Sequence, residues 1–388
     1  MPELIGVALP GGEAFLRAVL DVWESGDAVL PLSPGDPEPH RRAVLAAARP
    51  GRLVDEHGTH RLDDGLPVED GDAVVVCTSG TTGTPRAAVH THQGVETAAF
   101  ASATALGVAA DVRWLACLPL HHVGGFSVLT RALHTSAGLE VVPRPDPAVV
   151  DAAALRGCTH VSLVPTVLGR VDATRWRCIL LGGSAAPVDR PPNTVATYGC
   201  TETYGGVVYD GLALNGVSVR AVGAPGSHWS EPSPIELRTP SLMRCYRDGS
   251  LPVGGDGWFR TGDLGTVDPD TGRLQVSGRA DDVVVTGGEN VWPDPVEAAI
   301  GAVPGVAEVA VIGRDDHEWG QRVVAVVVPT DTGRPPTLES LRNAVRAVLP
   351  ASCAPRELEL RDSLPRTSLG KIERYRLRAT QADDGRAG

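Results

Sequence analysis

"AVVVCTSGTTGTPRAAVHTH", residues 73 to 92, decides the fold. Its first five residues are apolar without alternation, as in a strand buried on both faces of a parallel sheet. A glycine-rich loop follows at once. Gly80 and Gly83 let successive backbone N–H groups converge on one concavity, and Thr78, Ser79, Thr81 and Thr82 add hydroxyl donors, so the loop suits a polyphosphate. It is not the G-x-x-x-x-G-K-[ST] loop, because no Gly-Lys-Ser/Thr follows and Pro85 hinders a helix from starting there. Taken alone, the same residues also read as an ordinary Ser/Thr/Gly turn.

Working outward, "WLACLPL" (114–120), "LEVVP" (139–143), "HVSLVP" (160–165), "CILLGG" (178–183) and "TVATYG" (194–199) repeat the buried-strand pattern. Between them, 94–106, 127–138 and 147–157 are long enough for crossover helices, and this alternation means α/β. From 207 to about 278 short strands such as "IELRT" (235–239) and "RLQVSG" (273–278) alternate with "RDGS", "GGDG" and "DPDTGR" turns, which predicts a β-rich subdomain. After "GRADD" (278–282), strands and two helices form a compact α+β unit of their own. The predicted organisation is a large α/β domain over 1–280, with mostly parallel sheets and the β-rich subdomain, and a small α+β domain over 281–388. Ligands of open α/β sheets bind outside the carboxyl ends of the strands, where the glycine-rich loops project.

Composition narrows the class. Of 388 residues 42% are hydrophobic and 21% charged, a globular balance. With 47 acids against 35 bases the net charge is −12, and no basic cluster interrupts it, so neither a nucleic-acid backbone nor an anionic membrane is an expected partner. No run approaches the length of a membrane span. Glu3 stands where a secretory leader would start basic, and the seven cysteines are spread without a C-x-x-C pair, so the cytoplasm is the expected compartment and a disulfide framework is not expected. No segment encodes self-association, and a homo-oligomer is equally compatible with the sequence.

Other motifs carry chemistry. In "YGCTETYGG" (198–206) Glu202 is the only acid among glycines and threonines, and near triphosphate oxygens it would be the hard ligand that Mg²⁺ prefers; alone it equally reads as a solvated loop acid. "GWFRTGDLG" (257–265) sets Asp263 in a glycine-flanked turn, where a carboxylate accepts from two vicinal ribose hydroxyls. "LPLHHVGGF" (118–126) and "VHTH" (89–92) bring four histidines near one another in sequence, but without ligand spacing for zinc, and a pocket wall is the expected role. Of the 35 basic residues only Lys371, in "SLPRTSLGKIER" (363–374), is a lysine.

In this order, "TSGTTGTPR", "LPLHHVGG", "YGCTE", "GWFRTGDLG", "GRADDVVVTGGENVWPDPVE" and "PRTSLGKIER" resemble the adenylate-forming superfamily of acyl-CoA synthetases, peptide-synthetase adenylation domains and luciferases. The likeness runs from about Val75 to Arg374. Within it, "THVSLVPTVLGRV" (159–171) and "TETYGGVVYDGLALNGVSV" (201–219) resemble the o-succinylbenzoate–CoA ligases of menaquinone biosynthesis.

The resemblance implies an AMP-forming acid–CoA ligase using ATP, Mg²⁺ and coenzyme A on a small carboxylic acid. It implies that Thr78, Ser79, Gly80, Thr81, Thr82, Gly83 and Arg86 hold the β- and γ-phosphates, with Glu202 and Thr78 at the metal. Gly182, Gly183 and Tyr198 would border the adenine, Gly199, Cys200 and Thr201 would belong to the same cofactor site, and Asp263 with Arg279 would bind the ribose. His122, Pro165, Thr166, Tyr204 and Gly205 would line the acid pocket. Lys371 would stand between the acid and the α-phosphate, Asp281 at a hinge and Gly288 on the thiol path. Two departures stand out: Arg86 replaces the usual lysine, and the region before the phosphate loop is far shorter than in typical members. The alternatives are another aryl- or acyl-CoA ligase, a stand-alone carrier-loading enzyme, or a nucleotide-binding homologue without turnover.

Overall fold

The computed structural model describes residues 1–78, 85–223, 228–366 and 372–379; Ser79, Gly80, Thr81, Thr82, Gly83 and Lys371 lie outside the described residues. The chain forms two compact units, one of residues 1–219, 237–259 and 272–274, the other of 220–236, 260–271 and 275–388.

In the first unit the expected strand at 73–77 is Asp72–Thr78, inside a seven-stranded sheet. Ala28–Pro31, Leu4–Val7 and Arg52–Asp55 extend the sheet in parallel on one side, and Arg86–Thr91 pairs antiparallel on the other. Residues 1–71, for which the sequence offered no strand expectation, thus build four of the seven strands of this sheet. Alternation sends successive side chains to opposite faces. Val74 and Val76 enter a core with Phe15 and Phe126, while Val75 meets Val44 and Ala48 of the Glu38–Ala48 helix. Both faces are dry, which explains the unbroken apolar run.

The second seven-stranded sheet of this unit runs in the order Leu212–Ala213, Gly205–Tyr209, Thr194–Cys200, Cys178–Leu181, His160–Leu163, Arg113–Ala116, Gly138–Val141. Its last five strands are parallel and the first two antiparallel, so the mostly parallel expectation holds with mixed edges. Helices Val123–Thr135 and Pro147–Leu155 fill two connections. The strand expected over 114–120 stops at Ala116, because Pro119 has no N–H to give a ladder. There Gly125 packs so tightly that a Cβ would lie 2.4 Å from the Pro119 carbonyl oxygen.

The second unit holds most of a four-stranded sheet, Ser218–Ala221, Ser233–Arg238, Phe259–Val267 and Leu274–Arg279. Its other sheet centres on Val306–Asp316 and Gly320–Pro329, with Glu357–Leu360 parallel to the latter and the Val284–Thr286/Glu289–Val291 hairpin at the end. Helices Pro293–Gly301 and Leu338–Val348 cover one face through Val296, Ile300, Leu341 and Val345, all fully buried. Thr337 caps the second helix in a reciprocal box with Ser340.

All seven cysteines are free thiols. Burial is the leading cause that raises every one of them, Cys77 and Cys117 to about 12. Among the described residues no helix is long and apolar enough to cross a membrane.

Candidate active site

The carboxyl edge of the second sheet gathers most of the candidate residues. Pro165 and Thr166 open a short helix just after His160–Leu163; Gly182 and Gly183 follow Cys178–Leu181; Tyr198, Gly199 and Cys200 end Thr194–Cys200. These three strands are neighbours, so their ends lie side by side. Gly199 has no alternative there: a Cβ would stand 1.9 Å from the Gly205 carbonyl oxygen, where the chain folds back as the Gly205–Tyr209 strand.

His122 is the residue before the Val123–Thr135 helix, and the backbone N–H groups of Gly125 and Phe126 donate to its carbonyl. Burial, then the neighbouring His121 and His40, push its imidazole down to about 3, so it stands neutral at pH 7. Gly205 faces the same helix at Val123 and Ser127. Tyr204 is buried, with its hydroxyl 3.2 Å from Thr130 Oγ1 and its ring edge on His90. The histidines of "VHTH" and "LHH" pack against separate aromatic partners, His90 on Tyr204, His92 on Trp23 and His121 on His122. Among the described residues no group of three or more His, Cys, Asp or Glu is arranged to hold a metal ion.

Glu202 is fixed by residues that the sequence reading passed over. Its carbonyl accepts from Met243 N–H at 2.7 Å, and its Oε1 accepts from the Tyr246 hydroxyl at 2.5 Å. Sheet register explains why Tyr246 arrives there. Cys245–Tyr246 pairs antiparallel with Arg86–Thr91, setting Tyr246 opposite Ala88, two residues from Arg86 and so on its face. Arg86 is in turn paired with Thr78 across the hairpin that the glycine-rich loop closes. The Arg86 guanidinium lies over the Tyr246 ring, 3.5 Å from its centroid, and its Nη2 donates to Ser250 Oγ at 3.2 Å. The available signal was an aromatic just before the "RDGS" turn, but its partner is 44 residues away in sequence.

In the second unit, Asp263 and Arg279 meet on adjacent strands. Arg279 Nη1 donates to Asp263 Oδ1 at 3.2 Å and to the Thr261 carbonyl at 3.1 Å, while Asp263 N–H donates to Thr261 Oγ1. Gly262 makes this possible, with φ of +76° and a Cβ position 3.0 Å from Arg279 Nη2. Asp281, two-thirds exposed, sits in the 3-10 turn Ala280–Asp282. Gly287 and Gly288 form the tight hairpin turn between Val284–Thr286 and Glu289–Val291, both at positive φ as such a turn requires. The residues flanking 367–371 are tied down: Arg366 bridges Ile372, and Arg374 reaches Glu297 at 2.8 Å and Asp294 at 3.1 Å.

The donor chemistry at Glu202 fits a magnesium ion. The Glu202 carboxylate and the Thr78 hydroxyl, at the end of its strand, are both hard oxygen donors, and Mg²⁺ typically takes one or two such groups with substrate phosphates and water. The donor on Glu202 Oε1 is a neutral hydroxyl rather than a guanidinium.

Comparison with known proteins identifies the family. The AMP-binding enzyme model matches residues 60–231, and the AMP-binding enzyme C-terminal domain model matches 295–371. A probable 2-succinylbenzoate–CoA ligase of Mycobacterium tuberculosis is 38% identical over 342 residues, covering 81% of this chain and 85% of the relative. The chain belongs to the AMP-binding enzyme family. This AMP-binding enzyme is also similar to an indoleacetate–CoA ligase of Aromatoleum aromaticum, 35% identical over 338 residues, 78% of this chain and 66% of that one. Its fold matches the o-succinylbenzoate CoA synthetase of Bacillus subtilis in complex with an acyl-adenylate intermediate, with a TM-score of 0.86 and 26% identity over 100% of this chain and 89% of the other. The adenylate-forming fold expected from the motifs is therefore the fold observed.

Proposed function

We propose that this AMP-binding enzyme is an ATP-dependent, AMP-forming acid–CoA ligase whose acid is o-succinylbenzoate, giving o-succinylbenzoyl-CoA for menaquinone biosynthesis. The 38% identity to a 2-succinylbenzoate–CoA ligase along most of both chains carries the reading. A free carboxylate resists a thiol because its carbonyl carbon is electron-rich and its leaving group would be oxide. In the proposed sequence an acid oxygen attacks the α-phosphorus of ATP and pyrophosphate departs. The coenzyme A sulfur then attacks the acyl carbon, its proton is lost, and AMP departs.

In this reading Thr78 to Gly83 and Arg86 hold the outer phosphates, and Asp263, steadied by Arg279, accepts from the ribose hydroxyls. Gly182, Gly183 and Tyr198 border the adenine, with Gly199, Cys200 and Thr201 in the same cofactor site. A magnesium ion bound through Glu202 and Thr78 would supply charge neutralisation at the phosphates. His122, Pro165, Thr166, Tyr204 and Gly205 line the acid pocket, and a neutral His122 offers the acid a hydrogen bond without a charge. Lys371 neutralises the charge that peaks at five-coordinate phosphorus. The 281–388 domain turns about Asp281 against 1–280 for the thiol step, bringing Gly288 to the thiol path.

The test is AMP release with and without coenzyme A on a panel of o-succinylbenzoate, indoleacetate, benzoate and medium-chain fatty acids. The reading expects o-succinylbenzoate to lead and thioester to form only with coenzyme A. The 35% identity to an indoleacetate–CoA ligase favours another aryl acid as the second reading, and indoleacetate leading the panel would establish it. Lys371→Ala should slow adenylate formation by about two to three decades and spare thioester formation from supplied acyl-adenylate. Equal loss in both steps would remove the lysine from its role.

A further inference from the structure

The usual lysine at the end of the phosphate loop is Arg86 here, and its surroundings say what an arginine does there that a lysine does not. A guanidinium is planar and stacks on an aromatic face while its edge still donates. Arg86 does both at once, face on Tyr246 and Nη2 on Ser250. The ring beneath it carries the hydroxyl that donates to Glu202. Tyr246 is otherwise walled in, 4% exposed and packed with Ala88 and Met243. Arg86 is therefore the one described charged side chain stacked on the ring that aims at Glu202.

We propose that Tyr246 is a positioning residue for the Glu202 carboxylate, and that Arg86, clamped on its ring, holds it in place, so that Arg86 is mechanically linked to the metal-facing acid. The proposal rests on the reading of Glu202 as a magnesium ligand. Its logic is electrostatic. A cation bonded directly to the carboxylate would compete with a divalent ion for the same charge, whereas a hydroxyl fixes the oxygen and leaves its charge in place. Arginine acts at one remove, through the ring. A shift of Arg86 is transmitted to the carboxylate, which couples phosphate binding at Arg86 to metal binding.

The experiment uses the full chain and measures Mn²⁺ affinity at saturating ATP by electron paramagnetic resonance, alongside ATP affinity without metal by calorimetry. Tyr246→Phe keeps the ring and the stack but removes the donor, and should weaken metal binding about tenfold or more while leaving metal-free ATP affinity in place. Arg86→Lys keeps the charge and loses the planar stack, and should weaken metal binding about two- to fivefold. In the double variant Arg86→Lys should add no further loss, because its effect passes through the hydroxyl. A purely structural Tyr246 would instead lower both affinities together. Should Tyr246→Phe fail to fold, Arg86→Met on the exposed side chain carries the same metal measurement. Metal affinity within about twofold of wild type in Tyr246→Phe, or an equal Arg86→Lys loss in both backgrounds, overturns the proposal. If the wild type shows no acid-dependent pyrophosphate exchange but the metal affinities shift as described, the ligase reading fails and the linkage stands.

Discussion

Two candidate acids, Glu202 in the first unit and Asp263 in the second, are held by opposite means. Glu202 takes the neutral hydroxyl of Tyr246 on its Oε1. Asp263 takes a guanidinium, Arg279, across adjacent strands. A carboxylate whose partner is neutral keeps its charge for a metal ion, while one paired with arginine is largely neutralised and suits neutral hydroxyl donors such as a ribose. The two arrangements also differ in what enforces them. Tyr246 is delivered by strand register, and Arg279 by the absence of a side chain at Gly262.

Glu202→Gln breaks the contrast most directly. It keeps the shape and removes the charge, and should cut pyrophosphate exchange by about two decades or more, with part of the loss recovered at high Mg²⁺. Asp263→Asn should act mainly on KM for ATP, raising it about tenfold with a smaller change in kcat, since ribose binding serves ground and transition states alike. If both variants showed the same metal dependence, the division of labour would be wrong. Gly262→Ala should cost about 1 to 3 kcal/mol in urea unfolding, from a positive φ and from crowding Arg279, and should raise KM for ATP in parallel.

The last effect leaves activity aside and concerns acid stability of the first unit. Burial pushes His90 down from the ordinary 6.5 to about 4. Between those values the unfolded chain binds a proton that the folded one refuses. Its contribution is therefore complete above about pH 6.5 and is lost as pH falls toward 4, at up to about 1.4 kcal/mol per pH unit. His90→Phe should flatten the fall in unfolding free energy between pH 6.5 and 5; an unchanged slope would show that other groups set it.

How much of this was legible beforehand depended on how local each feature is. The strand at Asp72–Thr78, the crossover helices and the α+β unit were readable because unbroken apolar runs and amphipathic stretches encode them within ten residues. The strands Leu4–Val7 and Ala28–Pro31 were not, because four apolar residues fit a strand, a helix edge or a buried turn alike. Their place beside Asp72–Thr78 is decided by sheet pairing rather than by local sequence. The acid candidates themselves were visible as lone carboxylates among glycines. Their supports were less so: Arg279 came through motif likeness, and Tyr246 required the pairing of Cys245–Tyr246 with Arg86–Thr91, a contact between segments about 160 residues apart.

The seven free thiols bear on chemical self-protection. A mixed anhydride of an acid and AMP is an acylating agent, and the proposed reaction generates it in a protein with Cys77 next to Thr78 and Cys200 two residues before Glu202. Only a thiolate would intercept the acyl group at a damaging rate. Every cysteine is pushed above its ordinary value by burial, so the protein stays protonated on its own sulfurs while the ionisable thiol of an incoming coenzyme A remains the competent acceptor.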